Sequence, residues 1–202
     1  MTNSSKAIPV VAILRGLQPD EASEIAQALL NAGITMMEVP LNRPRALESI
    51  SLIADNFENK IMVGAGTVLT AGAVEDVANA GGKFIVAPNT DVDVILKTKE
   101  LGLKSCPGVY TASEAFEAIK LGADYLKLFP CDDISPKTIK ALKTILPDNI
   151  PLLCVGGINE KTIPSFLAAG ADGFGIGSNI YKPGISAEDV FKNAQSLMAS
   201  IS

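Results

Sequence analysis

Four times along this 202-residue chain a short phrase ending in glycine stops one pattern and starts another: Asn31-Ala32-Gly33, Asn79-Ala80-Gly81, Lys120-Leu121-Gly122 and Ala168-Ala169-Gly170. Each follows a stretch of helical periodicity and precedes an apolar run of strand length, as a helix-ending glycine does. The glycines recur at intervals that suit two β/α units per repeat. Strands are expected at residues 8–14, 35–40, 61–65, 84–87, 103–106, 125–129, 151–155 and 173–176. Helices are expected at 20–31, 44–56, 71–79, 92–101, 113–121, 136–146, 161–169 and 187–200. Pro19-Asp20-Glu21 and Ser135-Pro136 are good helix starts, by capping and by proline in the first turn. Eight strands alternating with eight helices point to the α/β class and a closed parallel (β/α)8 TIM barrel, one domain over residues 1–202. The length is at the low end for that fold, so loops must be short. A doubly wound open sheet would want a phosphate-binding glycine turn after strand 1, and Arg15-Gly16-Leu17 is a poor one.

In such a barrel the chemistry sits at the C-terminal ends of the strands. Those ends carry Arg15, Glu38, Gly66-Thr67, Pro88-Asn89, Pro107-Gly108, Lys127, Gly156-Gly157 and Gly177-Ser178. Lys127 is the least expected of them. It lies within Tyr125-Leu126-Lys127-Leu128-Phe129, where alternation puts Tyr125, Lys127 and Phe129 on one face. An ammonium among apolar side chains is costly to desolvate, which favours the neutral, nucleophilic amine. The plainer alternative is a lysine at the strand mouth that binds an anion. Glu38, within Met36-Met37-Glu38-Val39-Pro40, is equally out of place; its plain reading is an internal ion pair with Arg15 or Lys127. Parity groups Glu38 with Met36, Arg15 with Ile13 and Thr67 with Ala65, all expected to point inward beside Lys127. Arg15 suits a substrate carboxylate, and Thr67 could add a hydroxyl donor. Pro88, Pro107 and Phe129 are candidate pocket-lining residues. The turns Val155-Gly156-Gly157-Ile158 and Gly175-Ile176-Gly177-Ser178-Asn179 could present backbone N–H groups to a phosphate.

Composition narrows the chemistry. There is no histidine, which removes the commonest acid–base group and metal ligand at once. Catalysis must then rest on Lys, Glu or Asp, Tyr, Cys, Arg or backbone groups. Cys106, Cys131 and Cys154 lack metal-ligand spacing and read as ordinary reduced thiols. The formal net charge of −5 argues against nucleic-acid and acidic-membrane partners. The run from Lys6 through Ala7 to Leu14 is broken by Pro9 and ended by Arg15, without a cleavage signal. No apolar stretch reaches transmembrane length, and a cytoplasmic location is expected.

The segments Ala12-Ile13-Leu14-Arg15-Gly16, Glu38-Val39-Pro40-Leu41-Asn42, Val63-Gly64-Ala65-Gly66-Thr67-Val68, Pro107-Gly108, Leu126-Lys127-Leu128-Phe129-Pro130 and Val155-Gly156-Gly157 resemble the 2-keto-3-deoxy-6-phosphogluconate/galactonate aldolase family. The match runs in order over nearly the whole chain. The resemblance implies a metal-free, cofactor-free class I β/α-barrel aldolase, a homotrimer, that releases pyruvate and glyceraldehyde 3-phosphate from a phosphorylated 2-keto-3-deoxy sugar acid. It implies Lys127 as the Schiff-base lysine, Glu38 as the acid–base group, and Arg15 and Thr67 around the pyruvate carboxylate. Some gluconate-type members carry arginine where this chain has Asn42, and commonly Thr-Gly-Gly where it reads Val155-Gly156-Gly157. Both departures resemble the galactonate branch, with Val155 near the substrate C4 hydroxyl. The competing readings are an aldolase for the gluconate epimer or 4-hydroxy-2-oxoglutarate, a pyridoxal-phosphate barrel, and a non-catalytic sugar-phosphate-binding barrel.

Overall fold

The structure, a computed structural model, describes residues 8–201; Lys6 and Ala7, where the expected apolar N-terminal run begins, lie outside them. The strands are β1 (Val10–Ile13), β2 (Met36–Pro40), β3 (Met62–Gly66), β4 (Phe84–Val86), β5 (Lys104–Cys106), β6 (Gly108–Val109), β7 (Leu126–Leu128), β8 (Leu152–Val155) and β9 (Gly173–Ile176). The helices are α1 (Pro19–Asn31), α2 (Ala46–Asn56), α3 (Ala71–Asn79), α4 (Val92–Glu100), α5 (Ala112–Lys120), α6 (Pro136–Lys143), α7 (Ile163–Ala168) and α8 (Ala187–Ala199). All four repeated glycines, Gly33, Gly81, Gly122 and Gly170, adopt positive φ immediately after a helix, the left-handed stop that their phrase predicts. At the other ends Thr70, Asp91, Thr111, Ser135 and Ser186 each accept a hydrogen bond from a backbone N–H of the first turn. The second helix starts at Ala46 rather than residue 44, because Arg45 sits at φ 62.

Nine strand segments stand where eight were expected, and the difference is one proline. The sheet order is β5-β4-β3-β2-β1-β9-β8-β7-β6, all pairs parallel. Its two terminal segments, β5 and β6, are consecutive in the chain with only Pro107 between them. Proline has no N–H to give to the ladder, so the stave is split there. It still bridges the gap: Ala87 N donates to Cys106 O on one side, and Tyr125 N and Lys127 N donate to Ser105 O and Pro107 O on the other. Eight staves therefore close the barrel, the fifth of them broken at Pro107.

The interior of the barrel and its outer shell are two distinct apolar clusters. Val11, Met36, Phe84, Val86, Cys106 and Leu153 pack inside, with Tyr125 meeting Phe84 edge to face at 5.9 Å between ring centroids. The larger cluster fills the space between staves and helices and includes Ala12, Met37, Val63, Ala65, Leu126, Leu128 and Cys154. Ala65 thus faces the helices, which corrects the expected parity of the third stave: Met62, Gly64 and Gly66 point inward. A Cβ on Gly64 would come within 1.8 Å of Phe84 O, so the third and fourth staves approach as closely as they do only because Gly64 is bare. Among the described residues no helix is long and apolar enough to cross a membrane.

Candidate active site

Lys127 and Glu38 meet inside the barrel mouth. Lys127 is 7% exposed and Glu38 3% exposed, and both line an inner cavity of about 10 Å³ with Ile13, Cys106, Val155 and Gly175. The alternation that places Lys127 inward also places it beside Phe129, and its Nζ stands 4.7 Å from the centroid of that ring. Glu38 reaches the same space from β2. Its carboxylate fits because the neighbouring stave offers no side chain: a Cβ on Gly66 would lie 1.2 Å from Glu38 Oε2. Among the described residues no ion pair joins Glu38 to Lys127 or Arg15, and Oε2 is buried without a hydrogen-bond partner. Burial pushes the Glu38 carboxyl above its ordinary 4.5, only partly opposed by the charges of Lys127 and Arg15. The internal ion pair expected on the plainest reading of Glu38 is not formed.

Cys106 lines the same cavity, and its thiol is pushed up to about 12, by burial first. It stays protonated near neutrality and does not rival the amine as a nucleophile. Cys131 and Cys154 lie outside the barrel lumen and are free and buried. Among the described residues no group of three His, Cys, Asp or Glu could hold a metal ion.

A wider outer cavity of about 440 Å³ opens above this pocket and shares Ile13, Val155 and Gly175 with it. Arg15, Phe129, Gly156, Gly157, Gly177 and Ser178, all expected in the site, line it. Gly156 and Gly157 have φ of 100° and 66°, and side chains there would run into the Asp132 carboxylate at 2.8 Å. The two glycine turns are tied together by Asn179, whose Nδ2 donates to Ile158 O at 2.6 Å. Thr67, Pro88 and Pro107 line neither cavity. Pro88 instead packs against Gly108, where a Cβ would meet Pro88 O at 2.2 Å. Thr67 sits at φ 57, a conformation that costs a β-branched residue about 1–3 kcal/mol and recurs at functional sites.

Four residues of the site had no contact assigned to them by sequence reasoning. Asn42 accepts a hydrogen bond from Arg15 Nη1 at 3.1 Å through its Oδ1, so the position where this chain departs from the arginine-bearing pattern steers the arginine it has. Gly66 is the socket for Glu38. Asp132 and Lys182 place opposite charges in the outer cavity; the signal for Lys182 was its place just after the second glycine turn.

With this geometry in view, the likeness to known proteins is specific. The family model for KDPG and KHG aldolase matches residues 1–195. A 2-dehydro-3-deoxy-6-phosphogalactonate aldolase of Escherichia coli (strain K12) is 41% identical over 187 residues, 93% of this chain and 91% of that protein. The native KDPGal structure superposes with a TM-score of 0.93 at 39% identity, covering 98% of this chain and 97% of that one. A KDPG aldolase from Legionella pneumophila, with pyruvate captured as a covalent carbinolamine intermediate, superposes with a TM-score of 0.83 at 27% identity over 95% of this chain and 94% of that one. A profile matched almost from end to end and a relative this similar over nine-tenths of both chains make this protein a member of the KDPG and KHG aldolase family.

Proposed function

We propose that the protein cleaves 2-dehydro-3-deoxy-6-phosphogalactonate to pyruvate and glyceraldehyde 3-phosphate through a Schiff base on Lys127. The observation that carries this reading is a buried lysine and a buried, unpaired glutamate facing one small cavity at the strand ends. Neither is explained by stability, because an unpaired buried carboxylate costs free energy. The amine of Lys127 attacks the C2 ketone, and loss of water leaves an iminium. Glu38, directly or through water, removes the C4-hydroxyl proton as the C3–C4 bond breaks, and the electron pair passes to the iminium to form an enamine. The protonated Glu38 returns that proton to C3, and hydrolysis of the imine frees pyruvate and the lysine. Arg15, steered by Asn42, is assigned to the carboxylate end; Thr67, which lines neither cavity, has that role only through the family resemblance. Val155, at the junction of the two cavities, faces the C4 hydroxyl. Gly156, Gly157, Gly177 and Ser178 hold the phosphate through backbone N–H groups and a hydroxyl.

Support comes from the Legionella relative, whose name records covalent capture of pyruvate, and from the galactonate substrate in the name of the Escherichia coli relative. Borohydride reduction with pyruvate, followed by peptide mass mapping, tests the chemistry. A pyruvyl adduct on Lys127, absent from Lys127→Ala, is expected; normal turnover by Lys127→Ala would sink the scheme. Kinetics on the galactonate and gluconate epimers and on 4-hydroxy-2-oxoglutarate test the substrate, with the galactonate compound expected to have the highest kcat/KM. The same proposal includes a cytoplasmic homotrimer. It is supported by the exposed apolar residues Leu69, Val92, Leu96, Tyr110 and Phe116, which follow one another from the end of β3 to α5.

A further inference from the structure

The outer cavity is lined by two cations, Arg15 and Lys182, and by the acid Asp132. Arg15 already donates to Asn42, whereas Lys182 forms no ion pair among the described residues. Its loop is pinned on both sides. Before it, Tyr181 N donates to Gly177 O at 3.0 Å, and the buried Tyr181 hydroxyl donates to Glu21 Oε1 at 2.6 Å. Glu21 Oε1 also accepts from Gln18 N, and Gln18 Nε2 donates to Gly16 O at 3.0 Å. After it, Pro183 lies against Gly16, where a Cβ would stand 3.1 Å from Pro183 Cγ. One connected strap thus joins the turn after β9 to the turn after β1 and fixes the Lys182 backbone at the rim beside Gly177 and Ser178.

We propose that Lys182 is the specificity-determining cation for the phosphate end of the substrate, and that the Tyr181–Glu21 contact is its positioning strap. The inference rests on the proposed function for the identity of the substrate. Glycine turns supply directional N–H donors but no net charge, and Asp132 beside them repels a phosphate dianion. Without Lys182 the formal charges lining the cavity would sum to zero, with Arg15 balanced by Asp132. An ammonium on a fixed backbone and a flexible stem supplies the missing point charge.

The test compares kcat/KM for the 6-phosphorylated sugar acid and for its unphosphorylated counterpart in the unsubstituted protein, Lys182→Gln, Lys182→Arg and Tyr181→Phe. Lys182→Gln should lower the phosphorylated-to-unphosphorylated ratio by about ten- to a hundredfold, through KM more than kcat, as loss of one charge-assisted contact does. Lys182→Arg should restore most of the ratio, and Tyr181→Phe should lower it by a smaller factor. An unchanged ratio in Lys182→Gln overturns the proposal, and equal losses on both substrates in Tyr181→Phe overturn the strap. Calorimetric binding of inorganic phosphate gives an independent reading: about tenfold weaker binding in Lys182→Gln supports the assignment, and equal binding removes it. Pyruvate trapping on Lys127, which involves no phosphate, separates the two hypotheses. Its absence in the unsubstituted protein overturns the aldolase chemistry, whereas intact trapping with an unmoved ratio overturns only the role of Lys182.

Discussion

Burial works on Glu38 in one direction and its neighbours in the other. Desolvation raises its pKa above 4.5, and the charges of Lys127 and Arg15 recover only part of that rise. The folded state therefore holds the proton more tightly than the unfolded chain. The stability gained from this is complete below about 4.5 and is lost as pH rises through the raised folded value. Ionising this carboxylate, with Oε2 unpartnered, is a cost that the fold carries. Glu38→Gln should accordingly be more stable than the unsubstituted protein at pH 7, by about 1–3 kcal/mol, and the gain should shrink as pH falls toward 4.5. The same raised pKa places the acid limb of the kcat profile above 4.5, because proton removal needs the ionised form. Urea denaturation at several pH values and a pH–rate profile check both; a destabilised Glu38→Gln at pH 7, or an acid limb at or below 4.5, contradicts the assignment. Lys127 and Glu38 were legible in the sequence because a charge inside an apolar strand is rare without a reason. Gly66 was not, because the carboxylate it accommodates comes from another stave and an empty position leaves no chemical signal of its own.

Between residue and barrel, the repeated glycine phrases do more than end helices. Gly122 and Gly170 each lie under the stem of a lysine from an earlier helix: Cβ atoms there would be 3.5 Å from Lys99 Cγ and 3.3 Å from Lys143 Cγ. Two residues on, Asp124 binds Lys99, Lys104 and Ser105 N, and Asp172 binds Lys143 and Leu152 N. The third and fourth repeats share one device, in which a lysine crosses a bare glycine to an aspartate that also caps the neighbouring stave. Burial pushes the Asp124 carboxyl up, but hydrogen bonds from Lys104, Lys99 and Ser105 N outweigh it and hold the group below 3.8. That stabilisation is present above 3.8 and is lost as pH falls through the lowered folded value. Asp124→Asn should cost about 1–3 kcal/mol at pH 7, with the difference from the unsubstituted protein narrowing below pH 3.8. Urea midpoints at pH 7 and pH 3 measure it, and a cost as large at pH 3 as at pH 7 would show that the charge is irrelevant. The glycine spacing revealed the units; the ion pairs were hidden because their partners are far apart in the chain. Strand parity had a similar limit. It placed Lys127, Glu38 and Ile13 correctly but turned Ala65 inward, because Gly64 and Gly66 have no side chain to mark the inward face.

At the scale of the whole molecule, alternation of strand and helix was enough to foresee a closed parallel barrel, since eight such units have few other ways to bury both faces of a sheet. The break at Pro107 was not foreseeable as a split stave, because a proline between two apolar runs also reads as a strand end. Closure puts β5 and β6 across the barrel from β1 and β9, and this separates two surfaces. The cavity residues Arg15, Glu38, Lys127, Val155 and Ser178 come from β1, β2 and β7 to β9 or the turns after them. The exposed apolar side chains Leu69, Val92, Leu96, Tyr110 and Phe116 lie on the stretch from β3 to α5. Exposed apolar side chains gathered on one run of the chain fit contact with further copies, and none of these five lines either cavity. Assembly and the first covalent step should therefore be separable. Leu96→Asp combined with Phe116→Asp should shift the particle from about three times 21.0 kDa to a single chain of 21.0 kDa in sedimentation velocity, while pyruvate still reduces onto Lys127. A threefold mass retained by the double variant would exclude this face as the contact. A single-chain mass for the unsubstituted protein would exclude the trimer itself. Loss of trapping in a folded single chain would mean that a second copy completes the site after all.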